Sequence, residues 1–413
     1  MDAPPFAIPS LAEIQAVPDN GLSVISTFTG TGGSCLGFRW AGFRTLAACE
    51  FVEAARDSYA ANFPGVPIEP RDVREVKGSD LLELAGTDEV DVMEGSPPCS
   101  AFSTSGKRQA GWGQESKYSD TSQRVDDLFF EFSRLVGEVR PRAFVAENVS
   151  GLVKGTAKGY FKRIIADLRA QGYRVGSKVL DAQWLGVPQV RRRVIFVGIR
   201  NDLERDPAFP APLPYRYSVL DALPHLDGLR LQRGTGAAFG HREDLRSSSP
   251  IPTVMGRGRS HDFYLHDYVG GGKPGSLADP APTIQTHGRA HTHSEFTVPA
   301  EDKVDLEGYA IAPEYDRLRV GESSDKYQNL IKVDPALPSP TVTAVGGSSP
   351  GTASIAHPTE RRKFHIWEVR RLCGFPDDFT LTGNYAQQWE RLGRAVPPPM
   401  MFAVASALAP VLS

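Results

Sequence analysis

The sequence predicts an α/β fold: a Rossmann-like, doubly wound, mostly parallel sheet with a smaller domain inserted late in the chain. Three observations predict it. Between residues 22 and 200, short β-branched runs alternate with amphipathic stretches of helical length. The first run ends in a glycine-rich turn, Phe28-Thr29-Gly30-Thr31-Gly32-Gly33. Helical periodicity fades after residue 200 and returns after 360, in HIWEVRRLCGF and PMMFAVASALAPVL.

The elements follow in order. LSVISTF (22–28) is a strand, and TLAACEF (45–51) is a second one, followed by a helix over 53–63 that Pro64-Gly65 stops. VDVMEG (90–95) is a strand running into a Pro-Pro loop. Residues 125–139 carry apolar side chains at helical spacing and end before Pro141. AFVAENV (143–149) is a strand, 159–173 a helix, and RVIFVGIR (193–200) the last strand of this region. Such alternation implies right-handed crossovers, with ligands outside the carboxyl ends of the strands. From 201 to 356, Gly, Pro, Ser and His crowd the chain, and P-x-P-T-[VI] occurs three times, beginning at Pro250, Pro280 and Pro338. These repeats read as extended segments turning into loops, or as loops that present contacts to a partner.

Composition narrows the function classes. The 413 residues include 46 Lys+Arg and 49 Asp+Glu, a formal charge of −3, with 40% hydrophobic and 23% charged residues. That is a globular composition, and it excludes a histone-like, all-over basic protein but not an enzyme with one local basic cleft. The 40 glycines and 33 prolines have no strict period and signal long loops. The first basic residue is Arg39, so no charged leader is expected, and no apolar run is expected to reach the ~18 residues of a membrane span. Cys35, Cys49, Cys99 and Cys373 form no CxxC pair, so neither a disulfide framework nor a cysteine zinc site is expected. His287, His291 and His293 have no second ligand cluster beside them, and no metal is expected. A soluble, cytoplasmic protein is the expectation.

The glycine turn lets the backbone approach a ligand closely. Glu50 lies 20 residues after Gly30, at the end of the next strand, where an acid can accept hydrogen bonds from ribose hydroxyls. Asp72 is placed to meet an adenine amino group. The spacing is not G-x-G-x-x-G, which favours S-adenosylmethionine, with no pyrophosphate to cradle, over a dinucleotide. The loop Gly95-Ser96-Pro97-Pro98-Cys99 presents a cysteine at a strand's carboxyl end, next to this cofactor site. Glu147-Asn148 ends a strand on the same sheet edge, and an acid that is costly to bury ionised suits a proton donor. In Gln189-Val190-Arg191-Arg192-Arg193 an extended backbone would point both Arg191 and Arg193 to the cleft.

Together these pieces resemble the DNA (cytosine-5) methyltransferase family, from about residue 22 to 200 and again from about 360 to 405. The ordered matches are Phe28–Gly33, Glu50, Asp72, the Pro-Pro-Cys loop, Leu128-Phe129-Phe130, Glu147-Asn148-Val149, Arg191–Arg193 within QVRRR, GFPDDF (374–379) and GRAVPP (393–398). The resemblance implies a catalytic domain over 1–200 and 357–413, with a target-recognition domain over 201–356. It implies a monomer acting on double-stranded DNA, with Cys99 as nucleophile, Glu147, Arg191, Arg193 and Asn148 beside it, and a base flipped out of the duplex. Phe28, Gly30, Gly32, Gly33, Glu50, Phe51, Asp72, Val73, Pro98, Leu128, Arg394 and Val396 would hold S-adenosyl-L-methionine. Ser105–Gln123 would be a closing loop, and Gly256–Arg259 and Gly288-Arg289 candidate groove or phosphate contacts.

Two departures stand out. Where the family has Asp-Leu-Phe-Ala-Gly, this chain has Ser26-Thr27-Phe28-Thr29-Gly30, and Arg394 replaces the Asn of Gly-Asn-Ala-Val-Pro-Pro. Arg394 either turns outward or pairs with a local acid such as Glu390. Alternatively, it binds a carboxylate on the transferred group, as in carboxy-S-adenosyl-L-methionine, which would give 5-carboxymethylcytosine. A tRNA cytosine-5 methyltransferase, an inactive DNA-binding homologue and a dinucleotide oxidoreductase are the competing functions.

Overall fold

A computed structural model describes residues 3–98, 127–154, 157–228 and 304–413, together with four short strands at 115–118, 121–124, 284–286 and 289–291. Cys99, most of the 105–123 segment, Gly256–Arg259, Gly288 and the side chains of His287, His291 and His293 lie outside the described residues.

After a short helix α1 (Leu11–Gln15), the chain alternates strands and helices. These are β1 (Ser23–Thr27), α2 (Gly33–Trp40), β2 (Arg44–Cys49), α3 (Glu53–Asn62), β3 (Ile68–Glu69), α4 (Gly78–Ala85) and β4 (Val92–Gly95). A hairpin, β5 (Glu115–Tyr118) and β6 (Thr121–Arg124), precedes α5 (Leu128–Val139) and β7 (Ala143–Val149). Then come α6 (Lys158–Ala170), β8 (Tyr173–Asp181) and β9 (Arg192–Arg200). The main sheet has the order β3-β2-β1-β4-β7-β9-β8. Its first five strands pair in parallel, and β9 runs antiparallel to both β7 and β8. The mostly parallel, doubly wound expectation therefore holds, with one reversed strand. β8 itself is not in the sequence reading, because its half-exposed face breaks the apolar run expected of a buried strand.

Alternation of side chains distributes each buried strand between two cores. Ile25, Met93, Phe144, Ala146 and Phe196 face α4, α5 and α6 through Leu81, Phe129, Phe132 and Ile164. Val24, Val92, Ala143, Val145, Ile195 and Val197 face the opposite layer, built from α2 and a long C-terminal helix. The C-terminal region adds α7 (Val219–Ala222), α8 (Ala312–Arg317), α9 (Ile366–Leu372), α10 (Tyr385–Arg394) and α11 (Pro398–Leu412). α11 lies so close on α2 that a Cβ on Gly37 would sit 2.6 Å from Met401 Cβ and 2.7 Å from the Phe402 nitrogen. Only glycine permits that approach.

One expectation is corrected. Tyr385–Leu412 does contain an 18-residue window apolar enough to cross a bilayer. Its apolar character serves packing instead, with Met400, Met401, Val404, Leu408 and Leu412 in the core against the sheet. Packing also runs across the texture changes at 201 and 356. Val219, Leu223, Leu226, Val333, Val342 and Ile355 share one buried cluster with Cys35, Tyr59, Phe364, Val369 and Trp389. Both flanks of the insert belong to the core that carries α2, α9 and α10.

Candidate active site

A cavity of about 650 Å³ opens at the carboxyl ends of β1, β2, β4 and β7. The strands end there because the chain leaves the sheet in turns that side chains and glycines stabilise. Phe28, at the end of β1, has φ +52°, and Gly30 and Gly32 follow at +58° and +95°. A non-glycine residue in the left-handed region is strained, and such strain gathers at functional sites. Glu50 secures the turn: its Oε2 accepts the Gly30 N–H at 2.7 Å, and its Oε1 accepts the Val52 N–H at 2.8 Å. Burial pushes the Glu50 carboxyl up, while those two N–H groups and Arg56 act to lower it. Each oxygen keeps a lone pair for a further donor.

Phe28, Gly30, Gly33, Glu50, Phe51, Asp72, Val73, Pro98 and Leu128 all line this cavity, as do Arg394 and Val396 from the far end of the chain. Phe51 is 37% exposed, a large apolar ring left facing open space on the wall. Asp72 caps its own turn by accepting the Arg74 N–H at 3.0 Å and the Arg74 guanidinium at 2.9 Å. Gly32 is different: it is not on the cavity wall, and a Cβ there would meet the Phe63 ring at 2.4 Å and Tyr59 at 2.9 Å. Its part is to begin α2 in a left-handed turn against those rings.

Glu147, Asn148, Arg191 and Arg193 line the same cavity. The antiparallel pairing of β7 with β9 sets Val149 opposite Arg193, two residues beyond Glu147. Arg193 Nε lies 2.6 Å from Glu147 Oε1, and both side chains are largely buried. The strand pattern alone shows a lone buried acid, whereas the fold gives it an ionic partner. Asn148 Nδ2 donates to the Pro97 carbonyl at 3.0 Å, tying the end of β7 to the Pro-Pro loop that leads to Cys99.

Arg191 departs from expectation. It is 1% exposed, and its guanidinium is turned into the protein, donating to the carbonyls of Gly393 (3.0 Å), Ala395 (2.9 Å), Arg394 (3.3 Å) and Val342 (3.3 Å). Burial and the nearby Arg193 push it down to about 9. Four carbonyls at the end of α10 and on the Thr341–Ala344 strip outcompete the open cleft as acceptors. Arg394 pairs with Glu390 one helical turn back, Nε and Nη2 lying 2.9 and 2.8 Å from Oε1.

Several wall residues, and one acid behind the wall, escape the sequence reading. Thr341–Ala344 line the cavity from inside the stretch set aside as the insert, and Thr341 Oγ1 donates to the Val190 carbonyl at 2.6 Å. The P-S-P-T-V repeat was their signal. Arg391 also lines it, its Nε donating to the Ala54 carbonyl at 2.8 Å. Glu94, on β4, sits behind the wall against Ser26, and an acid in an apolar strand was the signal.

Elsewhere, His225, His357 and Glu368 bring possible ligand atoms within 4.8 Å of one another. Arg362 occupies both Glu368 oxygens at 2.7 and 3.1 Å. Despite its burial, Arg362 and His225 hold the Glu368 carboxyl well below the usual range. The Glu360 N–H points at His357 Nδ1 from 3.0 Å, which leaves the ring proton on Nε2, the atom a metal needs bare. This cluster is a buried ion-pair network of the fold.

The family model for C-5 cytosine-specific DNA methylase matches residues 22–409. The chain belongs to that family. The type II methyltransferase M1.HphI of Haemophilus parahaemolyticus is 28% identical over 388 residues, covering 94% of this chain and 86% of that protein. M.XorII of Xanthomonas oryzae is 29% identical over 400 residues, covering 92% and 82%. Among solved structures, a candidate DNA modification methyltransferase from an E. coli prophage superposes with a TM-score of 0.63 at 21% identity, covering 95% and 99%. The Dnmt2 methyltransferase of S. pombe gives 0.52 at 14%, covering 94% and 98%. These two likenesses show the fold. As a member, the methylase catalyses DNA (cytosine-5) methyl transfer, and the family's cofactor is S-adenosyl-L-methionine.

Proposed function

We propose that this methylase transfers a methyl group to C5 of a cytosine flipped out of duplex DNA, through a covalent bond between Cys99 and C6. The observation that carries the reading is the Glu147–Arg193 pair, 2.6 Å apart on the wall that also holds Glu50 and the glycine turn. C5 of cytosine is a weak nucleophile, and addition of a thiolate at C6 turns it into an enamine-like carbon. Glu147 shares a proton with N3 and Arg193 donates to O2, so the charge that develops on the ring meets two prepositioned groups. Asn148 fixes the approach of the Pro97-Pro98 loop by its bond to the Pro97 carbonyl. Loss of the C5 proton to solvent and elimination of the Cys99 thiolate then restore the aromatic ring. A stacked base cannot reach this recess, so the reaction needs base flipping.

The cavity suits the cofactor. Its volume of about 650 Å³ matches a ligand of that size, Phe51 offers a face for adenine, and Glu50 has lone pairs for the ribose hydroxyls. Val73, Pro98 and Leu128 supply apolar wall, Asp72 an acceptor, and Val396 closes the far side. S-adenosyl-L-methionine supplies the electrophilic methyl group when bound. Arg191 acts as a positioning residue, holding the Thr341–Ala344 strip and the Gly393–Ala395 turn together. Residues 201–356 serve as the recognition region between two catalytic segments, 1–200 and 357–413, although both flanks of that region are packed into the catalytic core.

Arg394 decides the transferred group. Its pairing with Glu390 supplies the counter-charge a fixed cation needs near a sulfonium, which favours methyl transfer over carboxymethyl transfer. The test offers the purified enzyme duplex DNA or tRNA with either S-adenosylmethionine or its carboxylated analogue, and identifies the modified base by mass spectrometry. We expect 5-methylcytosine in DNA from the first cofactor. A 5-carboxymethyl product from the second would move the assignment to a carboxymethyltransferase, and modification confined to tRNA would overturn the DNA reading.

A further inference from the structure

The family's first motif carries an aspartate where this chain has Ser26, and the fold returns a carboxylate to the same place from the next strand. The parallel register of β1 with β4 sets Ser26 beside Glu94. Ser26 Oγ donates a short hydrogen bond to Glu94 Oε1. Cys35 Sγ, in the first turn of α2, lies 3.7 Å from the same oxygen. Glu94 is 2% exposed and is not on the cavity wall, but it is connected to it. Ser26 Oγ is 2.9 Å from Thr29 Oγ1, and Thr29 lines the cavity.

Two hydroxyls in series make this connection directional. When Glu94 is ionised it can only accept, so Ser26 donates to it and Thr29 donates to Ser26. When Glu94 is protonated it can donate to Ser26, and Ser26 turns its proton to Thr29. The Thr29 hydroxyl then has only the carbonyls of Ser26 and Cys49, each at 3.3 Å, to donate to. The charge state behind the wall is thus written into the hydroxyl on the wall.

We propose that Glu94 is a buried counter-charge that makes the cofactor site favour the cationic sulfonium ligand over the neutral thioether left after transfer. This rests on the cofactor reading given above. A positive ligand across one layer of side chains stabilises the ionised carboxyl through a medium of low polarity. Once the methyl group has left, that attraction is gone, the proton returns to Glu94, and the thioether product is released more readily.

The surroundings place the titration in a useful range. Burial pushes the Glu94 carboxyl up to about 7, with the Glu147 charge on β7 adding to the rise and Ser26 and Cys35 opposing it. The other titratable groups facing it are the Cys35 thiol of α2 and the Tyr59 hydroxyl of α3, and burial keeps both protonated at neutral pH.

Titration calorimetry of the full chain with S-adenosylmethionine and S-adenosylhomocysteine, from about pH 6 to about pH 8.5, tests this. In the wild type the affinity ratio of the first to the second should climb with pH, about tenfold for each pKa unit by which the sulfonium lowers Glu94. Glu94→Gln resembles the protonated form, so its ratio should match wild type near pH 6 and fall behind above pH 7. The ligand's own amino group, a free α-amine titrating near about 7.7–8.0, contributes to both proteins and cancels in the comparison. Ser26→Ala, which keeps the acid and removes a hydrogen bond that favours its ionised form, should move the rise to higher pH and serves if Glu94→Gln does not fold. A wild-type ratio that ignores pH, or one whose rise survives unchanged in the variants, would overturn the proposal. Failure of both compounds to bind at any pH would instead remove the cofactor reading, and the proposal with it.

Discussion

Glu147 and Arg193 come from neighbouring antiparallel strands, two register positions apart, and their side chains meet at 2.6 Å, so each supplies the counter-charge for the other's burial. Substituting Glu147 by Gln keeps the shape and removes the shared proton, so single-turnover rates should fall by about 10²–10⁴-fold. Cofactor affinity, measured calorimetrically, should stay within about twofold, because Glu147 is not among the groups assigned to the cofactor. Glu94 makes a separate prediction for stability. Its carboxyl is raised from 4.5 to about 7 in the folded chain, so folded protein holds this proton more tightly than unfolded protein. The stabilisation is complete below the unfolded value and fades as pH rises through about 7. Denaturant titrations should therefore show Glu94→Gln gaining on wild type between pH 5 and pH 8, by on the order of 3 kcal/mol at most. A constant difference across that range would contradict a buried titrating acid.

At the scale of elements, the seam between α2 and α11 is the tightest constraint. Gly37→Leu would press a branched side chain into Met401 and the Phe402 backbone, and thermal unfolding should show a loss of several kcal/mol or no folded protein. Strand–helix alternation was legible because β1, β4 and β7 are buried on both faces and β2 over its second half, while α3, α5 and α6 keep an apolar stripe. β8 was not legible, since Arg174 and Lys178 give it a polar face at the sheet's edge, and Ser177 interrupts the other face. Glu50, Glu147 and the turn at Phe28–Gly33 were readable because the carboxyl ends of parallel strands converge on one cleft, which Arg193 reaches from the amino end of the antiparallel β9. The inward turn of Arg191 was not readable. Its carbonyl acceptors come from residues more than 150 positions away, and no local pattern announces them.

Across the whole molecule, one core joins segments that composition divides. Val219, Leu223 and Leu226 before the central stretch, and Val333, Val342 and Ile355 after it, pack with Phe364 and Trp389. Removing 201–356 outright should give an insoluble chain, whereas bridging 229–303 with a flexible linker takes none of these residues away. The second deletion should stay soluble, bind S-adenosylmethionine by calorimetry, and lose sequence-specific methylation of DNA. Loss of cofactor binding in that variant would show that the recognition region also builds the cofactor site.

In the proposed mechanism Cys99, two residues beyond the Pro97 carbonyl that Asn148 holds, attacks C6 of a flipped cytosine. Incubating the enzyme with S-adenosylmethionine and a duplex carrying 5-fluorocytosine at the target position tests it most directly, because fluorine cannot leave as a proton does and the adduct is trapped. A denaturation-resistant protein–DNA species is expected, mapping by peptide mass spectrometry to Cys99 and absent in Cys99→Ala. A wild-type enzyme that methylates ordinary duplex DNA yet forms no such adduct, or forms it at another residue, would contradict it.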